Sequence, residues 1–430
     1  MSHSLGNIFK GDKVIWMVFF ILCIISVVEV FSASSELTYK GGNYLAPAMK
    51  HVGILLGGIF CMLCTIQLKC KYFKAFAYPL LIFSVITLII VYLTGQSTNG
   101  ASRWISILGI QFQPSEVAKG TMVLITAQIL SAMQTPTGCD RHAFNYILIV
   151  GLFIVPLIML ENLSTAVLLC LVIWLMMIIG RVPTKQWGGA ASIVVLLAAV
   201  AVIFCFAVGG DESEESPKKN LTEKVDQGTN STDEKDEGGI AGGIFHRATT
   251  WKNRMLKFVN NKNIPPEQVD LDKDAQVAHA NIAIASSNII GKGPGNSVER
   301  DFLAQAFSDF IYAIIIEEMG IEGAFVVALL YIILLFRTGR IASRCENNFP
   351  AFLALGLALL LVIQALFNMS VAVGIVPVTG QPLPLISKGG TSTLINCIYV
   401  GVILSVSRTA KKRVTTQDDN KNKVAAASRN

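Results

Sequence analysis

Apolar residues along this chain gather into long runs that are separated by short polar loops. A helix needs about 20 mostly apolar residues to cross a bilayer, and successive runs come close to that length. The pattern therefore predicts an all-α polytopic membrane protein. We expect about ten transmembrane helices, over residues 14–34, 49–67, 74–94, 114–134, 144–160, 163–180, 187–208, 307–336, 349–375 and 389–407.

Composition supports the same class of protein. Of 430 residues, 53% are hydrophobic and only 15% are charged. Soluble domains carry about 25% charged residues, so this chain could not cover a water-facing surface. The formal net charge is +6. Because the basic residues lie in short loops between apolar runs, they indicate membrane topology and not a nucleic-acid partner.

The distribution of Lys and Arg predicts the orientation. Basic residues concentrate in the loops after the second, fourth, sixth and eighth spans, and such loops face the cytoplasm. They are Lys69, Lys71, Lys74, Arg141, Arg181, Lys185, Arg337, Arg340 and Arg344. Residues 1–13 and the basic tail 409–430 then lie in the cytoplasm, and the long loop 209–306 lies outside. Within that loop, 211–239 is acidic and nearly free of large apolar residues, so we predict that it is disordered.

The first candidate site precedes and opens the fourth span. Arg103 and Trp104 are followed by Gln113-Pro-Ser-Glu116-x-x-Lys119. A proline and an acidic residue both suit the first turn of a helix. Lys119 lies three residues after Glu116, inside the apolar run. The two could form a simple ion pair on one helical face, or Lys119 and Arg103 could face an anionic group.

The second candidate site lies at the start of the eighth span, which Asp309 is predicted to open on the outer side. The carboxylate could be a helix-terminal residue favoured by the helix dipole, or a general base. Glu317 and Glu318 follow deeper in the span. Because adjacent helical positions point about 100° apart, they cannot both face one partner. We expect at least one to pair with a basic residue or to be protonated.

The third candidate site is the Pro- and Gly-rich stretch 377–392 before the last span. Its prolines and glycines prevent a continuous helix, which favours a broken or re-entrant segment over a tight outer loop. Backbone N–H groups around Ser387, Gly389 and Gly390, beside Lys388, could hold phosphate oxygens.

Four ordered motifs carry a resemblance to a known family. They are Asn99-Gly-Ala-Ser-Arg-Trp-Ile105, Gln113-Pro-Ser-Glu-x-x-Lys119, Asp309-Phe-Ile-Tyr-Ala-x-x-x-Glu-Glu-x-Gly320 and Pro377-x-Thr-Gly-x-Pro-Leu-Pro-x-Ile-Ser-x-Gly-Gly-x-Ser392. Together they resemble the signatures of the SEDS family, which includes FtsW and RodA. The resemblance covers about residues 13–408. Arg247, Trp251, Arg254 and the motif Gln276-x-x-x-Ala-Asn281 look more like the FtsW branch.

This resemblance implies a peptidoglycan glycosyltransferase that polymerises lipid II on the outer face of the bacterial cytoplasmic membrane. Its implied partners are a class B penicillin-binding protein, which is a transpeptidase, and other divisome membrane proteins. FtsW serves septal synthesis in division, whereas RodA serves elongation. The family's catalytic carboxylate falls on Asp309.

The residues suit an inverting transfer from a lipid-linked pyrophosphate donor. The candidate pyrophosphate ligands are Arg103, Lys119, Lys292, Lys388, Ser387, Gly389 and Gly390. The candidate supporting residues are Trp104, Glu116, Arg247, Arg254, Gln276, Glu317 and Glu318. A divalent cation, Mg²⁺ or Mn²⁺, could share the charge of the leaving group, although the sequence shows no metal site. No organic cofactor is expected.

The chain departs from the family pattern at several positions. Ala304-Gln305 and Ser308 stand where Pro-Glu and Thr are usual, and Lys388 stands where an aromatic residue is common. Glu161-Asn-Leu-Ser-Thr165 replaces Pro-Asp-Leu-Gly-Thr. Three alternatives stay open: a lipid II flippase or other transporter, a non-catalytic division scaffold, and a RodA-like elongation polymerase.

Overall fold

The computed structural model of this protein describes residues 10–33, 46–94, 96–98, 101–107, 110–136, 138–189, 254, 256, 258, 275–303 and 306–427. The chain divides into two compact units, residues 1–187 with 269–430, and residues 188–268. All the helices and strands named below belong to the first unit. The predicted disordered stretch 211–239 and most of the predicted span 187–208 lie outside the described residues.

The helices follow the predicted spans closely. In chain order they are α1 (Lys13–Ala33), α2 (Ala46–Gln67), α3 (Cys70–Thr94), α4 (Pro114–Ala132), α5 (His142–Glu161), α6 (Leu163–Ile179), α7 (Ala275–Ala285), α8 (Ile311–Ala342), α9 (Asn348–Ala372) and α10 (Thr391–Ala427). A single 3-10 turn, Glu299–Asp301, lies between α7 and α8.

Seven of the described helices, α1, α2, α3, α5, α8, α9 and α10, contain stretches long and apolar enough to cross a membrane. The predicted all-α polytopic class is therefore confirmed. Helices α4 and α6 coincide with two further predicted spans, and α6 has 17 residues. The total of ten spans stays a prediction.

Several helix boundaries differ from the prediction, and two of the differences change its interpretation. Helix α8 begins at Ile311, so Asp309 does not open it but lies in the turn before it. The reason is that the carbonyls of Phe307 and Ser308 are bonded to the segment before α10, and not to a following helical turn. Helix α10 continues to Ala427, well into the predicted basic tail.

Short strands occur on both sides of α4. Strands β1 (Gln96–Thr98), β2 (Ala101–Ile107) and β3 (Ile110–Phe112) form an antiparallel sheet in that order. Strands β4 (Gln134–Thr135) and β5 (Gly138–Cys139) form a small hairpin. Strand β3 ends directly before Gln113, the N-cap residue of α4, so the sheet leads the chain into the first candidate site.

Helix α8 is broken at Gly320, where the backbone adopts φ 70° and ψ −175°. The preceding loop fills the break: the N–H of Lys292 donates to the carbonyl of Glu317 at 2.9 Å, and that of Gly293 to the carbonyl of Glu318 at 2.8 Å. A Cβ on Gly320 would lie 2.1 Å from the carbonyl oxygen of Ile289. Glycine is therefore required here for both its φ angle and its size.

The centre of the bundle differs sharply from its periphery. The membrane-length windows of α9 and α10 are 72% and 78% buried, whereas those of α3 and α5 are each 22% buried. The peripheral helices expose large apolar side chains such as Leu93 and Leu152. Such a surface suits contact with lipid, and it leaves α4, α9 and α10 to form the interior around the candidate sites.

Candidate active site

The segment that joins α9 to α10, residues 373–390, enters the protein without forming a helix, and we call it the broken segment. Irregular backbone at membrane depth needs hydrogen-bond partners from protein, because lipid supplies none. Four of its carbonyls accept hydrogen bonds from side chains of α1, α8 and α9. These donors are Asn368 to Gln381 O (2.7 Å), Gln364 to Pro382 O (3.1 Å), the Tyr331 hydroxyl to Pro384 O, and Ser26 to Ile386 O (2.7 Å). The predicted break in the helix is confirmed.

The turn that carries Asp309 is bonded to the broken segment. Ser387 Oγ donates to the carbonyl of Ser308 at 2.6 Å and accepts the N–H of Leu383 at 2.8 Å. The N–H of Lys388 donates to the carbonyl of Phe307 at 2.9 Å. Two of the three predicted sites, residues around 309 and residues 387–388, therefore meet.

The backbone of Asp309 is fixed by a hydrogen bond, while its side chain stays accessible to solvent. Asn368 Nδ2 donates to the carbonyl of Asp309 at 2.9 Å. The side chain is half-buried, and its Oδ1 accepts the Ser308 hydroxyl at 3.0 Å. A carboxylate oriented in this way can take a proton from a substrate hydroxyl.

A cation lies beside the same turn. Lys388 Nζ is 4.6 Å from the centre of the Phe307 ring, a cation–π contact that sets the direction of the ammonium group. Partial burial, and then the positive charge of Lys50, lower the pKa of Lys388 below its usual 10.5. Gly389 is buried and Gly390 has φ +53°, directly before α10 begins at Thr391. Phosphate binding by these backbone groups stays a prediction.

The first candidate site contributes an interior ion pair. The Lys119 side chain is fully buried, and its Nζ donates to Glu116 Oε1 at 2.9 Å and to Gln364 Oε1 at 2.7 Å. Gln364 in turn donates to the broken segment, so the pair lies beneath it. The arrangement matches the ion-pair reading of this motif. A role for Lys119 in binding pyrophosphate would require the interior to open, and it stays a prediction.

The two glutamates of α8 hold the loop that fills its break. Lys292 Nζ donates to Glu317 Oε1 at 2.6 Å and to Ser286 Oγ at 2.9 Å. Glu318 accepts the N–H of Gly295 at 3.1 Å and lies 4.0 Å from the Arg300 guanidinium. The expected pairing with basic residues is confirmed, and each carboxylate has its own cation. Lys292 is thus occupied by Glu317, and its role toward substrate stays a prediction.

The remaining candidates are less fully described. The backbone of Arg103 lies in β2, but its side chain is outside the described part, as is all of Arg247. Trp104, Arg254 and Gln276 are partly buried. Among the described residues there is no cluster of three or more His, Cys, Asp or Glu side chains that could hold a metal ion.

Sequence reasoning missed the polar side chains that support the broken segment. Gln364 and Asn368 lie four residues apart in an apolar helix, so both occupy one face. Polar groups in such a helix mark a polar interior, and this spacing could have revealed them. Ser26 and His51 gave no such signal, because Ser26 donates to Ile386, 360 residues away, and His51 contacts Ser26 on a different helix.

Comparison with known proteins identifies relatives over almost the whole chain. The profile of the FtsW/RodA/SpoVE family, described as a cell cycle protein, matches residues 12–220 and 238–412. The profile does not match residues 221–237, which lie within the acidic stretch. A Trichlorobacter lovleyi protein named "Probable peptidoglycan glycosyltransferase FtsW" is 30% identical, covering 95% of this chain and 96% of its own. The Escherichia coli "Peptidoglycan glycosyltransferase MrdB" is 25% identical over 92% and 93% of the two chains.

Solved structures share the fold. A chain from a peptidoglycan synthase complex, studied for its coordination of polymerization and crosslinking, aligns with a TM-score of 0.67 at 21% identity, covering 94% of this chain and 99% of that one. The Thermus thermophilus rod shape determining protein RodA aligns with a TM-score of 0.61 at 20% identity, covering 94% and 98%. With the family profile matching nearly every described residue, this chain belongs to the FtsW/RodA/SpoVE family.

Proposed function

We propose that this protein is a peptidoglycan glycosyltransferase that polymerises lipid II into glycan strands at the outer face of the bacterial cytoplasmic membrane. The names of relatives that align along nearly their full length support this activity. The FtsW names further support a septal role in cell division. The structural observation that carries the proposal is Asp309, a reachable carboxylate on a turn that is bonded to the broken segment.

The proposed reaction needs one base and one cationic pocket. Asp309 takes the proton from the acceptor sugar hydroxyl, and the freed oxygen bonds to the anomeric carbon of the donor. The bond from that carbon to the lipid pyrophosphate breaks, and the configuration inverts. Pyrophosphate is a good leaving group, so a second carboxylic acid of the glycosidase kind is not needed.

The leaving pyrophosphate requires positive charge. Lys388 is the first candidate, because its ammonium group lies over the ring of Phe307, two residues before Asp309. Arg103 is a second candidate, because it carries a positive charge and its backbone lies in β2, shortly before α4. A divalent cation, Mg²⁺ or Mn²⁺, could share the charge of the leaving pyrophosphate. No step is assigned to it.

The proposed partner is a class B penicillin-binding protein. The peptidoglycan synthase complex that shares this fold couples polymerization to crosslinking, which supports a crosslinking partner here too. Other divisome membrane proteins would join the two at the septum.

Strand synthesis from purified lipid II tests the proposal. The full chain, with its transpeptidase, would be compared with Asp309→Asn, which removes the base while keeping the size of the side chain. Asp301→Asn is the matched control, because Asp301 is an exposed carboxylate eight residues before Asp309. We expect long strands from wild type and Asp301→Asn and none from Asp309→Asn at equal thermal stability. Strands from Asp309→Asn at the wild-type rate would refute the proposed base.

A lipid flippase is the second candidate, because α8 is broken at Gly320 next to Glu317 and Glu318. Broken helices with ionisable groups at membrane depth are typical of transporters. A translocation assay with labelled lipid II in proteoliposomes separates the two. A flippase would move lipid II in wild type and in Asp309→Asn, while the glycosyltransferase alone would not.

A further inference from the structure

A buried histidine on α2 is connected to the broken segment by hydrogen bonds. His51 is 1% exposed, and its Nε2 lies 2.8 Å from Ser26 Oγ on α1. The same hydroxyl lies 2.7 Å from the carbonyl oxygen of Ile386. Helices α1 and α2 and the broken segment thus meet at one serine.

The direction of each hydrogen bond follows from counting protons. A serine hydroxyl has one proton, and a carbonyl oxygen can only accept. The proton of Ser26 therefore goes to Ile386, and His51 must donate from Nε2 to the serine oxygen. Nδ1 of His51 is buried and has no hydrogen-bond partner in the described part of the chain. A neutral ring with its proton on Nε2 fits both observations, since a proton on Nδ1 would be a buried donor without an acceptor.

The connection reaches the candidate base. Ile386 is followed by Ser387, whose hydroxyl donates to the carbonyl of Ser308 at 2.6 Å. Ser308 directly precedes Asp309 and donates to its carboxylate. Ile386 and Ser387 are adjacent residues. Ser26 on α1 donates to the carbonyl of Ile386, and Ser387 donates to the turn that carries Asp309.

We infer that His51 is a positioning residue for Asp309, acting through Ser26 and the Ile386–Ser387 peptide. This inference rests on the proposed function. If the donor at Nε2 is lost, the Ser26 hydroxyl loses the partner that directs its proton, and Ile386 loses a fixed donor. The peptide can then shift, and the base with it. A shifted peptide changes the orientation of the base and not the affinity for lipid II, so kcat should fall while KM stays nearly constant.

Two amide variants separate this role from simple packing. In His51→Gln the side-chain nitrogen occupies nearly the position of Nε2 and can still donate to Ser26. In His51→Asn the amide reaches only the position of Nδ1 and cannot. Both variants are uncharged and polar, so a purely structural role for a buried polar group would affect them alike.

The experiment measures kcat and KM for lipid II polymerisation by the full chain with its transpeptidase. We expect His51→Gln to keep kcat within about twofold of wild type, and His51→Asn and Ser26→Ala each to lower it about fivefold or more, the effect of one hydrogen bond. KM should stay within about twofold. The double variant His51→Asn/Ser26→Ala should be no slower than the slower of its two single variants, because both substitutions act on one connection.

Thr65→Val on the same helix is the matched control, because the Thr65 hydroxyl donates to the carbonyl of Cys61 within α2. Wild-type kcat in both His51→Asn and Ser26→Ala, or equal losses in His51→Gln and His51→Asn, would overturn the inference while leaving the proposed function intact. If His51→Asn fails to fold, Ser26→Ala decides alone: full activity overturns the inference. An inactive wild type would overturn the proposed function, and the inference with it.

Discussion

The buried pair of Lys119 and Glu116 offers a sharp test of what the first motif does. The side chains are 0% and 2% exposed, and the Lys119 ammonium bonds to both Glu116 and Gln364. Lys119→Met would leave a buried carboxylate without its cation, and Glu116→Gln would leave a buried ammonium without its anion. Breaking a buried pair in this way costs about 3–5 kcal/mol of unfolding free energy.

The double variant should recover most of that loss. With both charges gone, the cost that remains is the Gln364 oxygen without a donor, about 1–2 kcal/mol. The coupling energy between the two substitutions is then about 4 kcal/mol or more. Equilibrium unfolding in mixed micelles with increasing SDS, followed by tryptophan fluorescence, would measure each free energy. Lys185→Met, at an exposed lysine, is the control and should change stability by less than about 0.5 kcal/mol.

Activity of the same variants decides between the two interpretations of Lys119. If the lysine only balances Glu116, the double variant should polymerise lipid II at close to the wild-type rate. A double variant that is stable but inactive would instead show that the lysine is needed by the substrate. The structural reasoning would be wrong if either single variant cost less than about 1 kcal/mol, or if the double variant were less stable than both.

Three further outcomes follow from the structure. Gly320→Ala should cost about 3 kcal/mol or more and reduce the yield of folded protein, whereas Gly339→Ala, where an added Cβ meets nothing within 4 Å, should be neutral or slightly stabilising by the same unfolding assay. Asn368→Leu should lower the polymerisation rate at least fivefold, because it removes donors to both the broken segment and the carbonyl of the candidate base; an unchanged rate would contradict that coupling. Burial raises the pKa of Asp12, but the hydrogen bonds from Arg337 and two backbone N–H groups outweigh burial, so the pKa lies below its usual 3.8. Its stabilising contribution is thus full above about pH 5 and lost as the pH falls through the lowered value, and Arg337→Gln should reduce this pH dependence in unfolding titrations.

The membrane class, the helix positions and the candidate base were all accessible from the sequence. Spanning helices are readable because the bilayer demands about 20 apolar residues whatever the helix packs against. The break before α10 was readable for a local reason too, since Pro382 and Pro384 cannot donate helical hydrogen bonds. The pairing of Glu317 or Glu318 with a base followed from the cost of a buried charge.

Contacts between distant segments were not accessible in the same way. The start of α8 depends on Ser387 and Lys388, which compete for the carbonyls of residues 307–308. The environment of Lys119 depends on Gln364, which lies 245 residues later. No local pattern encodes such a partner, because its position is set by how α4 and α9 pack.

The sequence by itself determined which segments cross the membrane and which residues could do chemistry, because hydropathy and residue type act locally. The tertiary structure alone decided which of those residues stay accessible and which neutralise one another. Asp309 lies half-buried two residues after Phe307, whose ring contacts Lys388, while Lys119 and Lys292 are each bonded to a glutamate. The physical reason is that the role of a charge depends on its burial and its nearest partner, and both arise only when the helices pack.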